Sequence, residues 1–235
     1  MSLEEIGAGL WIVEGEILSF YGFPFPTRSV IARLGNGDLW VWSPVRLTKE
    51  LREGIKSLGG RVAHLVSPNK LHHLFLAQWK SVYRAAELWG PLSTIKKRST
   101  LPFTDALENK PPPAWRPVVD QAWFRGSVMM DEIVFFHRPS RTVIIADLIE
   151  NFTEQFLQQH WAWWQRPLAR LDGITTVSSR APLEWRLSFI DRAAARAARD
   201  RILGWECERV IMAHGEWQRT DGQAFLKRSF SWLGD

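Results

Sequence analysis

The first sixty residues alternate short apolar runs with turn residues. "GLWIVEGEILSFYG" (9–22) and "SVIARLGNGDLWVWSPV" (29–45) are rich in β-branched and aromatic side chains, and Gly35-Asn36-Gly37-Asp38 sits between two of the runs. That arrangement predicts strands joined by a hairpin turn. The period then changes. In "LTKELREGIKSLGG" (47–60), Leu47, Leu51, Ile55 and Leu58 recur at helical spacing behind Thr48, a residue type that caps helix starts, and Gly59-Gly60 end the run. The strand "RVAHLVS" (61–67) follows, so the order is β–α–β, which favours a sheet covered by helices.

A helix is expected from Leu71 in "LHHLFLAQWKSVYR", directly after Pro68-Asn69. The proline-rich "LPFTDALENKPPPAWRP" (101–117) reads as a long surface loop near the midpoint. A second strand-rich region comprises "DQAWFRGS" (120–127) and "EIVFFHRPSRTVIIADLI" (132–149), with a turn at His137-Arg138-Pro139-Ser140. "FTEQFLQQHWAWWQRPLARL" (152–171) is helical, with an interruption expected near Pro167. In "FIDRAAARAARDRILGW" (189–205), Ile190, Ala194, Ala198 and Ile202 form one face of a helix that Gly204 ends. A last strand, "ERVIMA", precedes a closing helix in "DGQAFLKRSFSWL". The chain is expected to be a single domain over 1–235, two β-rich halves joined near 99–117.

Composition narrows the function classes. With 46% hydrophobic and 23% charged residues the chain can bury a sizeable core. A net charge of +5 comes without any long basic block, and the densest run, Lys96-Lys97-Arg98, reads as a solvated loop, which argues against a nucleic-acid partner. One cysteine, Cys207, excludes an intramolecular disulfide, and its neighbours Glu206 and Glu208 oppose a thiolate nucleophile. No apolar run approaches the ~20 residues of a membrane span, and the acidic start "MSLEEIGAGL" lacks the pattern of a signal peptide, so a cytoplasmic location is expected. Most of the fourteen tryptophans are expected in core or cleft walls. The Trp161/Trp163/Trp164 cluster is expected to cover a crevice or form a contact between copies in a homo-oligomer, with membrane-surface docking as the alternative.

Three apolar strands hand over to metal-capable side chains at their C-terminal ends. "AHLVS" leads to Asn69 and His72-His73, "TVIIA" to Asp147, and "RVIMA" to His214. Ligands bind outside the carboxyl ends of strands in layered α/β folds, and imidazole and carboxylate suit zinc, iron or manganese. An adjacent histidine pair on a helix points about 100° apart, so both reach one ion only if the backbone accommodates, and His73 rather than His72 is the expected ligand where one alone does. His64, His137 and His160 read as packing residues, and Asn69 as an Asx turn or a cleft-facing group.

The segments "FYGFPFPTR" (20–28), "SPNKLHHLF" (67–75), "FFHRPSRT" (135–142) and "IMAHGE" (211–216) resemble those of a bacterial subgroup, with a domain of unknown function, within the metallo-β-lactamase superfamily. The resemblance spans nearly the whole chain and implies an α/β, four-layer αββα sandwich. The superfamily motif H-x-H-x-D-H falls on Pro68, Lys70, His72 and His73, so its first two histidines are missing, and "WFRGSVMM" (123–130) offers no third. What remains implies one divalent ion, zinc first and iron or manganese as alternatives, held by His72, His73, Asp147 and His214. Asn69, Glu150 and Glu216 are candidates for positioning those ligands. The expected activity is metal-dependent hydrolysis of a small-molecule substrate; the alternative is a catalytically inactive binding or scaffold protein of the same fold.

Overall fold

A computed structural model describes residues 2–234. Its strands form two sheets. The first runs in chain order through β1 (Leu3–Gly7), β2 (Leu10–Phe20), β3 (Phe23–Arg33), β4 (Leu39–Trp42), β5 (Val62–Val66), β6 (Glu87–Gly90) and β7 (Asp105–Ala106). Its first four strands are antiparallel neighbours, whereas β4 to β7 pair in parallel. The second contains β8 (Val119–Phe124), β9 (Glu132–His137), β10 (Thr142–Ile145) and β11 (Arg209–Met212), ordered β11-β10-β9-β8.

Successive side chains on a strand face opposite ways, and here both faces are covered. Trp40 and Trp42 of β4 point inward and meet Phe135 of β9, Ile144 of β10 and Ile211, which together with Val30 and Val66 form the core between the sheets. Leu39 and Val41 point outward and pack with Leu51 and Ile55 of α1 (Lys49–Ser57) and with Leu76 and Trp79 of α2 (Leu76–Val82). On the far side, Val134, Phe136, Val143, Ile145 and Val210 pack beneath α6 (Leu183–Leu187), α7 (Arg192–Leu203) and α8 (Gly222–Ser229). The result is the four-layer αββα sandwich, and it explains why the central strands read as unbroken apolar runs: neither face meets water.

Several elements differ from expectation for identifiable reasons. The Asn69–Phe75 stretch is a chain of turns, and the helix starts only at Leu76. Three short elements, β6, β7 and α3 (Leu92–Lys97), lie where no element was expected, and Lys96 and Lys97 fall in the last turn of α3. Cations there complement the negative end of the helix dipole. Pro167 starts a helix, α5 (Arg166–Asp172), while the break falls at Trp161–Gln165, after α4 (Glu154–His160). Proline is tolerated in a first turn because its missing N–H would be unpaired there anyway. Ile190 is exposed, because Asp191 caps α7 and the buried stripe is Ala195, Ala198 and Ile202. Among the described residues no helix is long and apolar enough to cross a membrane.

Candidate metal centre

The parallel register of β10 and β11 pairs Ile145 with Met212. Two residues beyond that pair, on equivalent positions, stand Asp147 and His214. The shared offset sets their side chains next to each other, with His214 Nε2 3.1 Å from Asp147 Oδ1. From the other sheet, the turn after β5 delivers His72, whose Nε2 lies 3.3 Å from Asp147 Oδ2. One ligand atom of each of His72, Asp147 and His214 lies within 4.8 Å of the others.

Each ring is held by its other nitrogen. His214 Nδ1 donates to the carbonyl of Pro26 at 2.6 Å, and His72 Nδ1 pairs with Ser43 Oγ at 2.7 Å. Trp42 stacks along His72 with centroids 6.0 Å apart, and Phe25 meets His214 edge-on at 5.2 Å. Asp147 is fixed as firmly. Asn69 Nδ2 donates to Asp147 Oδ2 at 2.7 Å and to Glu132 Oε2 at 3.0 Å, while its Oδ1 accepts from the Leu71 N–H, closing an Asx turn. Because the Leu71 N–H can only donate and the Asp147 carboxylate can only accept, this pattern fixes which way the amide points. Glu132 accepts from the N–H groups of Ala146 and Asp147.

Burial alone raises the Asp147 carboxyl, but the nearby His72 and His214 outweigh it and hold the group below the usual carboxylate range. Glu132 is pushed up to about 8, by burial first and then by the charge on Asp147. Glu150 is also buried and raised well above its ordinary value, again by burial first, and one of its carboxyl oxygens has no partner. Such groups gather at functional sites more often than elsewhere.

The hydrogen bond to Pro26 has a chemical consequence. A carbonyl oxygen accepts only, so Nδ1 of His214 carries the proton, and a neutral ring turns a lone pair from Nε2 toward the Asp147 carboxylate. Two acceptors 3.1 Å apart require a positive species between them, either a proton on Nε2 or a cation. Two imidazole nitrogens and one carboxylate oxygen suit a divalent ion, each histidine being oriented through its second nitrogen. The residues present therefore fit such an ion.

The structure brings together three of the four expected ligands. His73 points elsewhere: its Nδ1 lies 3.4 Å from the Arg98 guanidinium, and its ring is held down to about 4, first by burial and then by Lys97 and Arg98. Adjacent residues in a turn face different ways, and His72 is the one that enters the cluster. Glu216 also lies apart, its side chain exposed and its backbone paired with Asn151. Lys70 donates to the Met129 carbonyl, and Pro68 accepts from Ile133 N–H.

Ser43, Pro26, Glu132 and Arg28 act here without having been singled out by the sequence. Ser43 ends β4 with φ +47°, an uncommon conformation for a non-glycine residue. Arg28 is buried and donates to the carbonyls of Met212 (2.5 Å) and Gly215 (2.9 Å), bracketing His214. The available signal was the "FPFPTR" segment, a strand that carries two prolines and an arginine. Cys207 is buried and pushed up to about 11, chiefly by burial, with the neighbouring Glu208 adding a smaller push in the same direction.

The four-layer sandwich is the metallo-β-lactamase fold. The chain belongs to the family described as Domain of unknown function (DUF4336), whose match spans residues 9–161. No curated protein matches it. Among solved structures it is similar to the DIM-1 metallo-β-lactamase exposed to ceftazidime (TM-score 0.66, 15% identity, 98% of this chain and 95% of that one). It is also similar to a metallo-β-lactamase from Pontibacter korlensis (TM-score 0.63, 13% identity, 100% and 99% covered). A third is the rubredoxin oxygen:oxidoreductase of Desulfovibrio gigas (TM-score 0.65, 12% identity), where the match covers 99% of this chain and 61% of the other. At these identities the likeness shows the fold.

Proposed function

We propose that the chain is a metal-dependent hydrolase with one divalent ion, zinc in the first instance, held by His72, Asp147 and His214. The convergence of two Nε2 atoms on one carboxylate, with each Nδ1 occupied by Ser43 or Pro26, carries this reading. Three protein ligands leave a position open, the arrangement of catalytic rather than structural zinc. Such an ion, when bound, polarises a carbonyl or phosphoryl oxygen and makes water a better nucleophile near neutral pH. The protein's own groups supply the remainder. Asn69 and Glu132 hold Asp147 in place, and Phe25 and Trp42 keep the rings in orientation. Glu150 lines the same cleft, and burial disfavours its charged form, which suits it to protonate a leaving group. With His73 turned toward Arg98 and Pro68 and Lys70 in place of two motif histidines, the site is built for one ion.

Elemental analysis tests this. Wild-type protein equilibrated with zinc, then desalted, should carry close to one ion per chain, and His214→Ala and Asp147→Ala should lose it. Wild type left metal-free after exposure to zinc, iron and manganese would favour the catalytically inactive binding protein.

A further inference from the structure

The candidate centre lies at the floor of a cleft of about 740 Å³, a volume suited to a drug-sized ligand. Its walls are hydrocarbon. Phe23, Phe25, Trp161, Ile174 and Trp185 line it, and the two indoles spend their only donors elsewhere, Trp161 on the Pro24 carbonyl and Trp185 on that of Met130. Thr27 likewise donates away, to Glu16. Lys70, the one lysine or arginine lining the cleft among the described residues, is engaged by Met129, while Asp172 and Glu184 add carboxylates. A ligand body rich in phosphates or other acceptors would lose its water here without gaining donors, and the acceptors the cleft does offer, Glu150, Asp172 and Glu184, are few beside its apolar lining.

Large exposed apolar side chains also converge on the opening. Phe20 and Tyr21 come from the β2–β3 hairpin, Leu74 from the turn after β5, Met129 from the loop before β9, and Leu171 from α5. Single exposed apolar residues are ordinary. Four separate segments contributing them to one mouth are not, and such concentrations mark ligand or partner sites.

We infer that the cleft takes a long aliphatic chain, so that the substrate is a neutral acyl ester whose chain lies along these walls and whose carbonyl reaches the floor; the ester part of this inference rests on the hydrolase reading. Hydrolysis breaks the acyl C–O bond, joins the acyl carbon to the water oxygen and returns a proton to the departing alcohol, giving acid and alcohol. A neutral ester fits better than an anionic one, because Asp147, Asp172 and Glu184 all face the cleft.

Binding is tested apart from chemistry. Chelator-treated protein is titrated with 1-alkanols from butanol to decanol, below their solubility limits, following tryptophan fluorescence, to which Trp161 and Trp185 contribute from the walls. Affinity should climb about fourfold per methylene, and the exposed substitutions Tyr21→Glu and Leu171→Glu should weaken decanol binding several-fold. No dependence on chain length overturns the inference. So does failure to bind while sedimentation shows a dimer that the same two substitutions dissolve, because the apolar rim is then a contact between copies. With zinc added, p-nitrophenyl decanoate should show a lower KM than the butanoate. Chain-length-dependent alkanol binding without turnover of either ester leaves the aliphatic cleft standing and removes the hydrolase reading. Turnover of the butanoate without alkanol binding does the reverse.

Discussion

His72 and His73 differ by one position in the chain and by nearly everything in chemistry. One ring meets Ser43, Trp42 and Asp147; the other is buried against Arg98. His72→Ala should therefore reduce zinc retention as severely as His214→Ala, whereas His73→Ala should retain it, measured by elemental analysis after desalting. Among the histidines outside the centre, His137 is shifted by burial alone. It is fully buried beside Ser140, and burial lowers it from 6.5 to about 4. A histidine kept neutral when folded gives the unfolded chain the greater proton affinity. Stability is then lost as pH falls from about 6.5 toward 4, by up to about 3 kcal/mol over that window. His137→Asn, which can still reach Ser140, should show a visibly smaller loss of Tm between pH 7 and pH 4.5.

At the level of elements, the centre depends on strand ends held in exact relation by backbone. Gly215 follows His214 with φ +86°, and a Cβ there would lie 2.2 Å from the Asn151 carbonyl oxygen. Gly215→Ala should cost at least about 2 kcal/mol, lower Tm by roughly 4–8 °C and weaken zinc retention, because the turn that aims His214 must shift. The strand ends were legible in the sequence for a simple reason: an apolar run that stops at Asp147 or His214 announces both the strand and the group it presents. The turn at 69–75 was not legible, since Leu71, Leu74 and Phe75 keep a spacing a helix also uses. What decides against a helix there is local competition from side chains: Ser67 Oγ shares its one proton between the carbonyls of Asn69 and His72, and Asn69 Oδ1 accepts from the Leu71 N–H. Glu132 was hidden for the opposite reason. One acid at the head of "EIVFF" looks like an ordinary strand start, and its worth lies in the N–H groups of Ala146 and Asp147 at the end of β10 and in the Asn69 amide, all of which reach it only in the folded chain.

For the molecule as a whole, the centre exists only where the two sheets meet. His72 comes from the first β-rich half, Asp147 and His214 from the second, and Pro26 and Arg28 of the first half grip the segment around His214. The core between the sheets is shared in the same way, with Trp40 and Trp42 packed against residues of β9, β10 and β11. Neither half can bury its inner face alone, and an uncovered sheet face of that size is not stable in water. We propose on this ground that the chain is one cooperative domain. Urea unfolding followed by tryptophan fluorescence and by far-ultraviolet circular dichroism should give one coincident midpoint, whereas two separated midpoints would show that the halves fold independently. Zinc at a hundred times its Kd should stabilise the whole transition by about 2.7 kcal/mol, roughly 5–11 °C in Tm. The shift should vanish in His214→Ala, because an ion bridging both halves stabilises the native packing only while ligands from both sides hold it.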